Sequence, residues 1–93
     1  MVITPTAEQD ISTRYIQITQ QSPVQAKTWY LGIIKALKTL ADMPKRCPIA
    51  QEDKDIGLGI RHLIVGNYRA LFIIDGAFVK VLHLRHHRMD RHL

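Results

Sequence analysis

Residues 60–88 read IRHLIVGNYRALFIIDGAFVKVLHLRHHR, and this stretch decides the fold. Two β-rich runs, residues 68–74 and 78–84, flank an Asp-Gly-Ala turn, and an Asp-Gly pair between alternating runs is among the strongest short-range hairpin signals. A third run, residues 60–65, precedes them across a Gly-Asn pair. These runs predict a three-stranded antiparallel meander in the C-terminal half of the chain.

The middle run of the meander has two largely apolar faces. Strand side chains alternate between the faces of a sheet. One face therefore carries Tyr68, Ala70, Phe72 and Ile74, and the other carries Arg69, Leu71 and Ile73. We expect both faces of the sheet to be covered by other parts of the chain.

Two helices are predicted upstream of the meander. Thr4 and Ser22 are suited to cap the free N–H groups of a helix, and each is followed by a proline, which fits the first helical position. Apolar residues at helical spacing carry the first helix to about Gln20 and the second to about Met43, where the next proline ends it. The short link between the helices predicts an antiparallel helical hairpin.

The remaining segments complete an α+β architecture. Residues 1–3 are apolar and suffice only for a short edge strand, whereas residues 44–59 combine prolines, glycines and an acidic cluster and predict a loop. The expected fold is an N-terminal helical hairpin packed on a small antiparallel sheet, which consists of the edge strand and the meander.

Length and composition indicate a small domain. The chain has 93 residues, of which 46% are hydrophobic, and this suits one domain spanning residues 1–93. A lone cysteine forms no internal disulfide, which argues against a bridge-stapled secreted scaffold. There is neither an apolar run of about 18 residues nor a charged-then-apolar leader. We therefore expect a cytoplasmic protein without a membrane partner.

The net charge of +5 is distributed unevenly along the chain. From Arg61 onward the sequence holds six cationic side chains and two acidic ones, namely Arg61, Arg69, Lys80, Arg85, Arg88 and Arg91 against Asp75 and Asp90. A basic C-terminal half favours a polyanionic or acidic partner, although positive charge also serves solubility alone.

Arginine and histidine concentrate at the end of the last run, which is the candidate site. The planar fork of arginine binds phosphate oxygens in bidentate fashion, and histidine transfers protons near neutral pH. Such groups can bind RNA and assist attack of a 2′-hydroxyl on its own phosphate; the alternative is a solvated basic tail. The candidate binding residues are Arg61, Arg69, Arg85, His86, His87, Arg88 and Arg91.

A metal site is a weaker interpretation of the same region. His83, His86, His87 and His92 are close in sequence, but zinc sites usually recruit cysteine or carboxylate partners at defined spacings. Only Asp90 lies near, while Cys47 belongs to a remote loop. We predict no metal and no cofactor.

Three parts of the chain carry a resemblance to a known family: residues 60–72 (IRHLIVGNYRALF), the Asp75-Gly76 turn, and residues 79–88 (VKVLHLRHHR). Together they resemble the RelE/ParE superfamily of toxins from type II toxin–antitoxin systems. The Thr-Pro and Ser-Pro helix starts and the Pro-Lys-Arg-Cys-Pro tract at residues 44–48 are similar to its plasmid-stabilisation branch.

The resemblance implies a growth-inhibiting toxin silenced by a cognate antitoxin in a hetero-oligomer. RelE-like toxins cut messenger RNA on the ribosome, and ParE-like toxins poison DNA gyrase. Arg69 and Arg88 match positions of functional arginines in RelE-like enzymes, and His62 lies where a lysine is common. The aromatic acid–base residue of those enzymes has no counterpart here, so His87 or His92 would replace it.

The catalytic set of a RelE-like enzyme would thus be Arg69, Arg88, His87 and His62. The missing aromatic residue and the branch resemblance favour the ParE-like target, DNA gyrase, over ribosome-bound messenger RNA. A non-toxic module that binds nucleic acid is the alternative of a different class.

Overall fold

Two capped helices follow the first four residues of the chain, as the sequence predicts. The computed structural model describes residues 1–86. Helix α1 spans Pro5–Gln21 and α2 spans Pro23–Lys38. Thr4 Oγ1 accepts a hydrogen bond from Ala7 N at 3.3 Å, and Ser22 Oγ accepts one from Gln25 N at 3.2 Å. Both predicted starts are confirmed.

The second helix ends earlier than its apolar pattern predicts. After Lys38 the chain tightens into a 3₁₀ turn at Thr39–Ala41, and a second 3₁₀ turn follows at Pro44–Arg46. Thr39 Oγ1 donates to the Ala36 carbonyl at 2.6 Å, and Arg46 Nη1 donates to the Thr39 carbonyl at 3.3 Å. Side chains thus satisfy carbonyls that another helical turn would have used. The predicted end near Met43 is wrong by about one turn.

Four strands form one mixed sheet with the order β1-β4-β3-β2. Strand β1 is Val2–Ile3, β2 is Arg61–Val65, β3 is Tyr68–Asp75 and β4 is Phe78–His86. The last three form the predicted antiparallel meander, whereas the edge strand β1 runs parallel to β4. The α+β fold is confirmed, whereas the prediction of a wholly antiparallel sheet is wrong, because β1 pairs in parallel with β4.

Strand β4 contains a bulge that the period-two pattern does not reveal. Leu71 pairs with His83 and Phe72 pairs with Val81, so Leu82 is one residue too many. An extra residue shifts the alternation of a strand and re-aims the side chains that follow it. The bulge therefore helps to set which side chains of β4 approach α1.

One face of the sheet is closed by the helical hairpin. The largest fully buried side chains include Ile33, Leu37 and Leu40 from the helical part and Phe72 and Val81 from the sheet. They belong to the larger of two apolar clusters. The prediction that the helices cover this face is confirmed.

The other face is covered more thinly. Ala50, Ile60 and Leu71 form a second, smaller cluster there, whereas the side chain of Ile64 is 58% exposed. The expectation that both faces are covered therefore holds only in part.

The segment predicted as a loop contains local structure. A short helix, α3, spans Asp53–Ile56, and it ends at Gly57, whose φ of 72° suits glycine. Asp53 Oδ1 accepts hydrogen bonds from Leu58 N and Ile60 N, each at 2.9 Å, and Ala50 N donates to the Ile60 carbonyl at 2.8 Å. We call residues 50–59 the acidic segment.

None of the helices within residues 1–86 is both long and apolar enough to cross a membrane.

Candidate functional site

The hairpin between β3 and β4 brings several predicted site residues together. Arg69 pairs in register with Arg85, and Tyr68 pairs with His86. Directly opposite residues of an antiparallel pair share a face, with Cβ atoms within about 5.5 Å of each other. The structure therefore places Arg69 beside Arg85. The predicted residues His87, Arg88 and Arg91, together with His92, lie outside the described residues.

Arg69 is buried and already bound to a carboxylate. It is 7% exposed. Its Nη1 donates to Glu52 Oε1 at 3.0 Å, and its Nη2 donates to Glu52 Oε2, so the pair is bidentate. Such fork-on-fork pairs are among the stronger hydrogen-bonded ion pairs in proteins. The positive charge of Arg69 is compensated by the acidic segment.

His62 completes this cluster. Its Nδ1 lies 3.2 Å from Arg69 Nη1. His62 pairs with Leu71 and Ile64 with Arg69, so strand alternation puts His62 and Arg69 on the same face. A carboxylate, a guanidinium and an imidazole thus meet on the face opposite the helical hairpin.

The ion pair affects the protonation of Glu52. The hydrogen bonds from Arg69 lower the pKa of the Glu52 carboxyl below its ordinary value, and they outweigh burial, which acts in the opposite direction. Glu52 is therefore ionised near neutral pH and is a weaker base than an ordinary glutamate.

Arg85 belongs to a second group of polar side chains, which connects β4 to α1. Arg85 Nη2 lies 3.4 Å from His83 Nδ1, and His83 Nδ1 lies 3.5 Å from Asp10 Oδ2. Asp10 Oδ2 also accepts a hydrogen bond from Leu84 N at 3.1 Å. The Nε atom of Arg85 is buried and has no hydrogen-bond partner within the described part of the chain.

Tyr68 forms an aromatic centre at the same end of the sheet. Its ring centroid lies 5.3 Å from that of Trp29 and 5.2 Å from that of His86, both in edge-on arrangements. The Cζ atom of Arg14 lies 5.6 Å from the Tyr68 centroid, within reach of a cation–π interaction. A notch of about 280 Å³ opens here, and Tyr68, Arg14, Arg85 and Asp10 are among its lining residues.

Arg61 lies elsewhere. It stands at the other end of β2, paired with Phe72, and its Nη1 donates to the Cys47 carbonyl at 2.6 Å and to the Lys45 carbonyl at 3.4 Å. The structure therefore does not bring Arg61 to Arg69 and Arg85. Its guanidinium therefore stabilises the turn at residues 45–47, which precedes the acidic segment.

Residues 1–91 match the model of the ParE toxin of the type II toxin–antitoxin system parDE. The chain belongs to the ParE toxin family. The resemblance to the RelE/ParE superfamily is thereby confirmed. A comparison with curated proteins finds no match.

In this ParE family toxin, sequence reasoning missed Glu52. The available signal was an acidic cluster in an otherwise basic chain, but Glu52 precedes Arg69 by 17 residues, a separation with no helical or strand period. Only the docking of the acidic segment on the sheet brings the two side chains together. Asp10 of α1, whose Oδ2 accepts a hydrogen bond from Leu84 N of β4, was also missed, because its partner lies far away in the sequence.

Metal-binding geometry is not found in the part of the toxin that the structure describes. Within residues 1–86, no group of three or more His, Cys, Asp or Glu side chains is arranged to hold a metal ion. His83 instead faces Asp10 and Arg85.

Proposed function

We propose that this toxin inhibits bacterial growth by acting on DNA gyrase and is neutralised by a cognate antitoxin in a hetero-oligomer. The family match supports a toxin of a type II toxin–antitoxin system. The observation that favours gyrase over RNA is the Glu52–Arg69 ion pair.

The ion pair weakens both groups for RNA cleavage. Stabilising the charge that develops on a phosphate requires a cation directed at that charge, whereas Arg69 is directed at Glu52. A general base works best with a pKa near the operating pH, whereas the pKa of Glu52 is lowered. Binding a protein target requires neither property.

We assign target contact to the basic end of β4. Arg85 and His86 are adjacent there, and both are half-buried. His87, Arg88 and Arg91 continue this basic sequence. Arg61 is assigned a structural role, because two backbone carbonyls accept from its guanidinium.

Cleavage of messenger RNA on the ribosome is the second candidate. It is favoured by the meeting of Glu52, Arg69 and His62, which are chemically a carboxylate base, a cation and a proton carrier. With His87 and Arg88 these residues would form the catalytic set that the RelE-like interpretation requires.

Inducible expression in bacteria tests the proposal. We expect growth arrest, gyrase–DNA cleavage complexes and DNA-damage signalling, and we expect relief of the arrest when the adjacent small gene is co-expressed. Arg85→Gln should weaken the arrest, whereas Lys38→Gln, which removes an exposed charge from the end of α2, should not.

Each outcome has a distinct meaning. Growth arrest with position-specific transcript cuts and no gyrase complexes would support the second candidate instead. Unhindered growth while the folded protein accumulates would contradict the toxin hypothesis. It would favour the alternative, a non-toxic module that binds nucleic acid.

A further inference from the structure

The notch beside Tyr68 lies between α1 and the end of the sheet. Its volume of about 280 Å³ is below the roughly 300–1,000 Å³ of typical small-molecule sites. The notch therefore suits one side chain of a protein partner. Its lining includes residues with polar side chains from α1 and from the sheet, namely Asp10, Thr13, Arg14, Gln17, Tyr68 and Arg85.

Arg14 is held at the notch by its neighbours. Its Cζ atom lies 5.6 Å from the Tyr68 ring centroid, and its Nη1 donates to Gln17 Oε1 at 2.9 Å. A side chain that is ordered before binding loses less conformational entropy when a ligand arrives. A guanidinium has five N–H donors, so these contacts are compatible with an incoming carboxylate.

Arg85 reaches the notch from β4. Its Nη2 lies 3.4 Å from His83 Nδ1, which itself lies 3.5 Å from Asp10 Oδ2. These contacts bring the Arg85 guanidinium to the side of β4 along which α1 runs. Asp10 Oδ2 also accepts a hydrogen bond from Leu84 N at 3.1 Å. The residues that line the notch thus carry two guanidinium groups against one carboxylate, and one further carboxylate would neutralise them.

The charge of α1 favours an isolated carboxylate over nucleic acid. The helix carries Glu8 and Asp10 against a single cation, Arg14, so it is negatively charged as a whole. A nucleic acid carries a negative charge at every phosphate, and its backbone would be repelled along α1. A protein partner can present one carboxylate to the two arginines and keep its other acidic groups away from the helix.

We propose that the notch binds an aspartate or glutamate side chain of the cognate antitoxin, whose carboxylate pairs with Arg14 and Arg85. An arginine binds a carboxylate through directional, charge-assisted hydrogen bonds. The inference rests on the proposed function for the identity of the partner. Arg85 belongs to the basic end of β4, to which target contact is assigned, so the same antitoxin side chain blocks one contact with the target.

Titration of the purified product of the adjacent small gene against the full-length toxin tests the notch. Arg14→Gln and Arg85→Gln each remove one positive charge. Lys38→Gln is the matched control, since it removes a charge at an exposed position at the end of α2. The dissociation constant should rise by about tenfold or more for each arginine variant, because the carboxylate loses one of its two partners. For Lys38→Gln it should rise by less than about twofold.

A double-mutant cycle identifies the carboxylate. Each Asp or Glu of the antitoxin is replaced in turn by Asn or Gln, and the dissociation constant is measured with wild type, Arg14→Gln and Arg85→Gln. One replacement should weaken binding to wild type by about tenfold. Its effect should be clearly smaller on both arginine variants, because residues in contact are not additive.

Gln17→Glu tests the notch without removal of an arginine. Gln17 is exposed and accepts a hydrogen bond from Arg14, so the variant places an internal carboxylate where it competes with that of the antitoxin. We expect binding weaker by about tenfold. Gln25→Glu, the same substitution at an exposed position of α2, should bind like wild type. Circular dichroism checks that each variant is folded.

Unchanged affinity in Arg14→Gln, Arg85→Gln and Gln17→Glu would overturn the proposal, as would losses that are additive with every acidic replacement in the antitoxin. A fluorescein-labelled single-stranded RNA is titrated in parallel. If the arginine variants weaken RNA binding and leave antitoxin binding unchanged, the notch binds phosphate and the proposal is wrong.

Growth arrest and gyrase–DNA complexes are scored separately with the wild-type toxin in cells. A toxin that arrests growth and binds its antitoxin regardless of the notch variants contradicts the notch alone. A toxin that binds its antitoxin through the notch but does not arrest growth contradicts the proposed function alone.

Discussion

The two faces of the sheet are closed by different physical means. On one face, α1 and α2 bury Phe72 and Val81 in a continuous apolar cluster. On the other, the acidic segment covers Leu71 and pairs Glu52 with Arg69. Apolar contact is non-directional and excludes water, whereas an ion pair depends on the geometry and the charge of its two partners. The comparison indicates that apolar burial stabilises the first face and that an ion pair contributes to the stability of the second.

The largest effect is expected on the helical face. Phe72 is fully buried, and Phe72→Ala should lower the free energy of unfolding by about 4 kcal/mol, from lost transfer energy and the cavity. Urea denaturation measures it. Ile64→Ala, on the other face and 58% exposed, is the control and should stay within about 0.5 kcal/mol. Similar losses for the two variants would show that the faces contribute equally.

Breaking the Glu52–Arg69 ion pair should lower the free energy of unfolding by somewhat less. Glu52→Ala leaves Arg69 buried without its carboxylate, and we expect a loss of about 3 kcal/mol in the free energy of unfolding, because the remaining charge is uncompensated. The same denaturation experiment applies.

A double-mutant cycle separates the pair from its surroundings. Glu52→Ala combined with Arg69→Ala should lose less than the sum of the single variants. Strict additivity would mean that the two side chains do not stabilise each other.

Acid should weaken the Glu52–Arg69 ion pair selectively. The folded-state pKa of Glu52 is lowered from its ordinary value of 4.5, so the unfolded chain binds the proton more readily. The stabilisation is therefore present above the unfolded pKa and is lost as pH falls through the lower folded pKa, from about pH 5 downward.

Variants isolate the contribution of Glu52 from that of other titrating groups. Between pH 5 and pH 3 the melting temperature of wild type should fall more than that of Glu52→Gln. Asp55→Asn, at an exposed position, should follow wild type. If all three fall in parallel, the pair does not contribute to acid sensitivity.

The smallest effect is expected at an exposed ion pair. Lys80 Nζ lies 3.1 Å from Asp75 Oδ2, but the two side chains are 43% and 63% exposed. Solvent screens such a pair, so Asp75→Asn should change the free energy of unfolding by no more than about 0.5 kcal/mol. A loss as large as that of Glu52→Ala would show that burial does not distinguish the two ion pairs.

Local signals in the sequence were sufficient for the elements themselves. Thr4 and Ser22 cap the helices where predicted. Gly66 and Gly76 sit in the turns of the meander with φ of 58° and 60°, a conformation that favours glycine. Such signals act within a few residues, and they are therefore visible without any knowledge of the tertiary structure.

The site was predicted less completely. The sequence placed Arg69, Arg85 and His86 near one another through the hairpin, and their register agrees. It grouped Arg61 with them, although Arg61 binds carbonyls at Lys45 and Cys47. It also treated Arg69 as a free cation, since its partner comes from a segment that has no periodic pattern.

The amino-acid sequence by itself determined the helical hairpin, the meander and the concentration of positive charge near the chain's end, because caps, turn glycines and alternating side chains act locally. Tertiary structure alone decided which arginines are compensated. Glu52 reaches Arg69 only after the acidic segment docks on Leu71, and that docking depends on contacts between residues far apart in the chain.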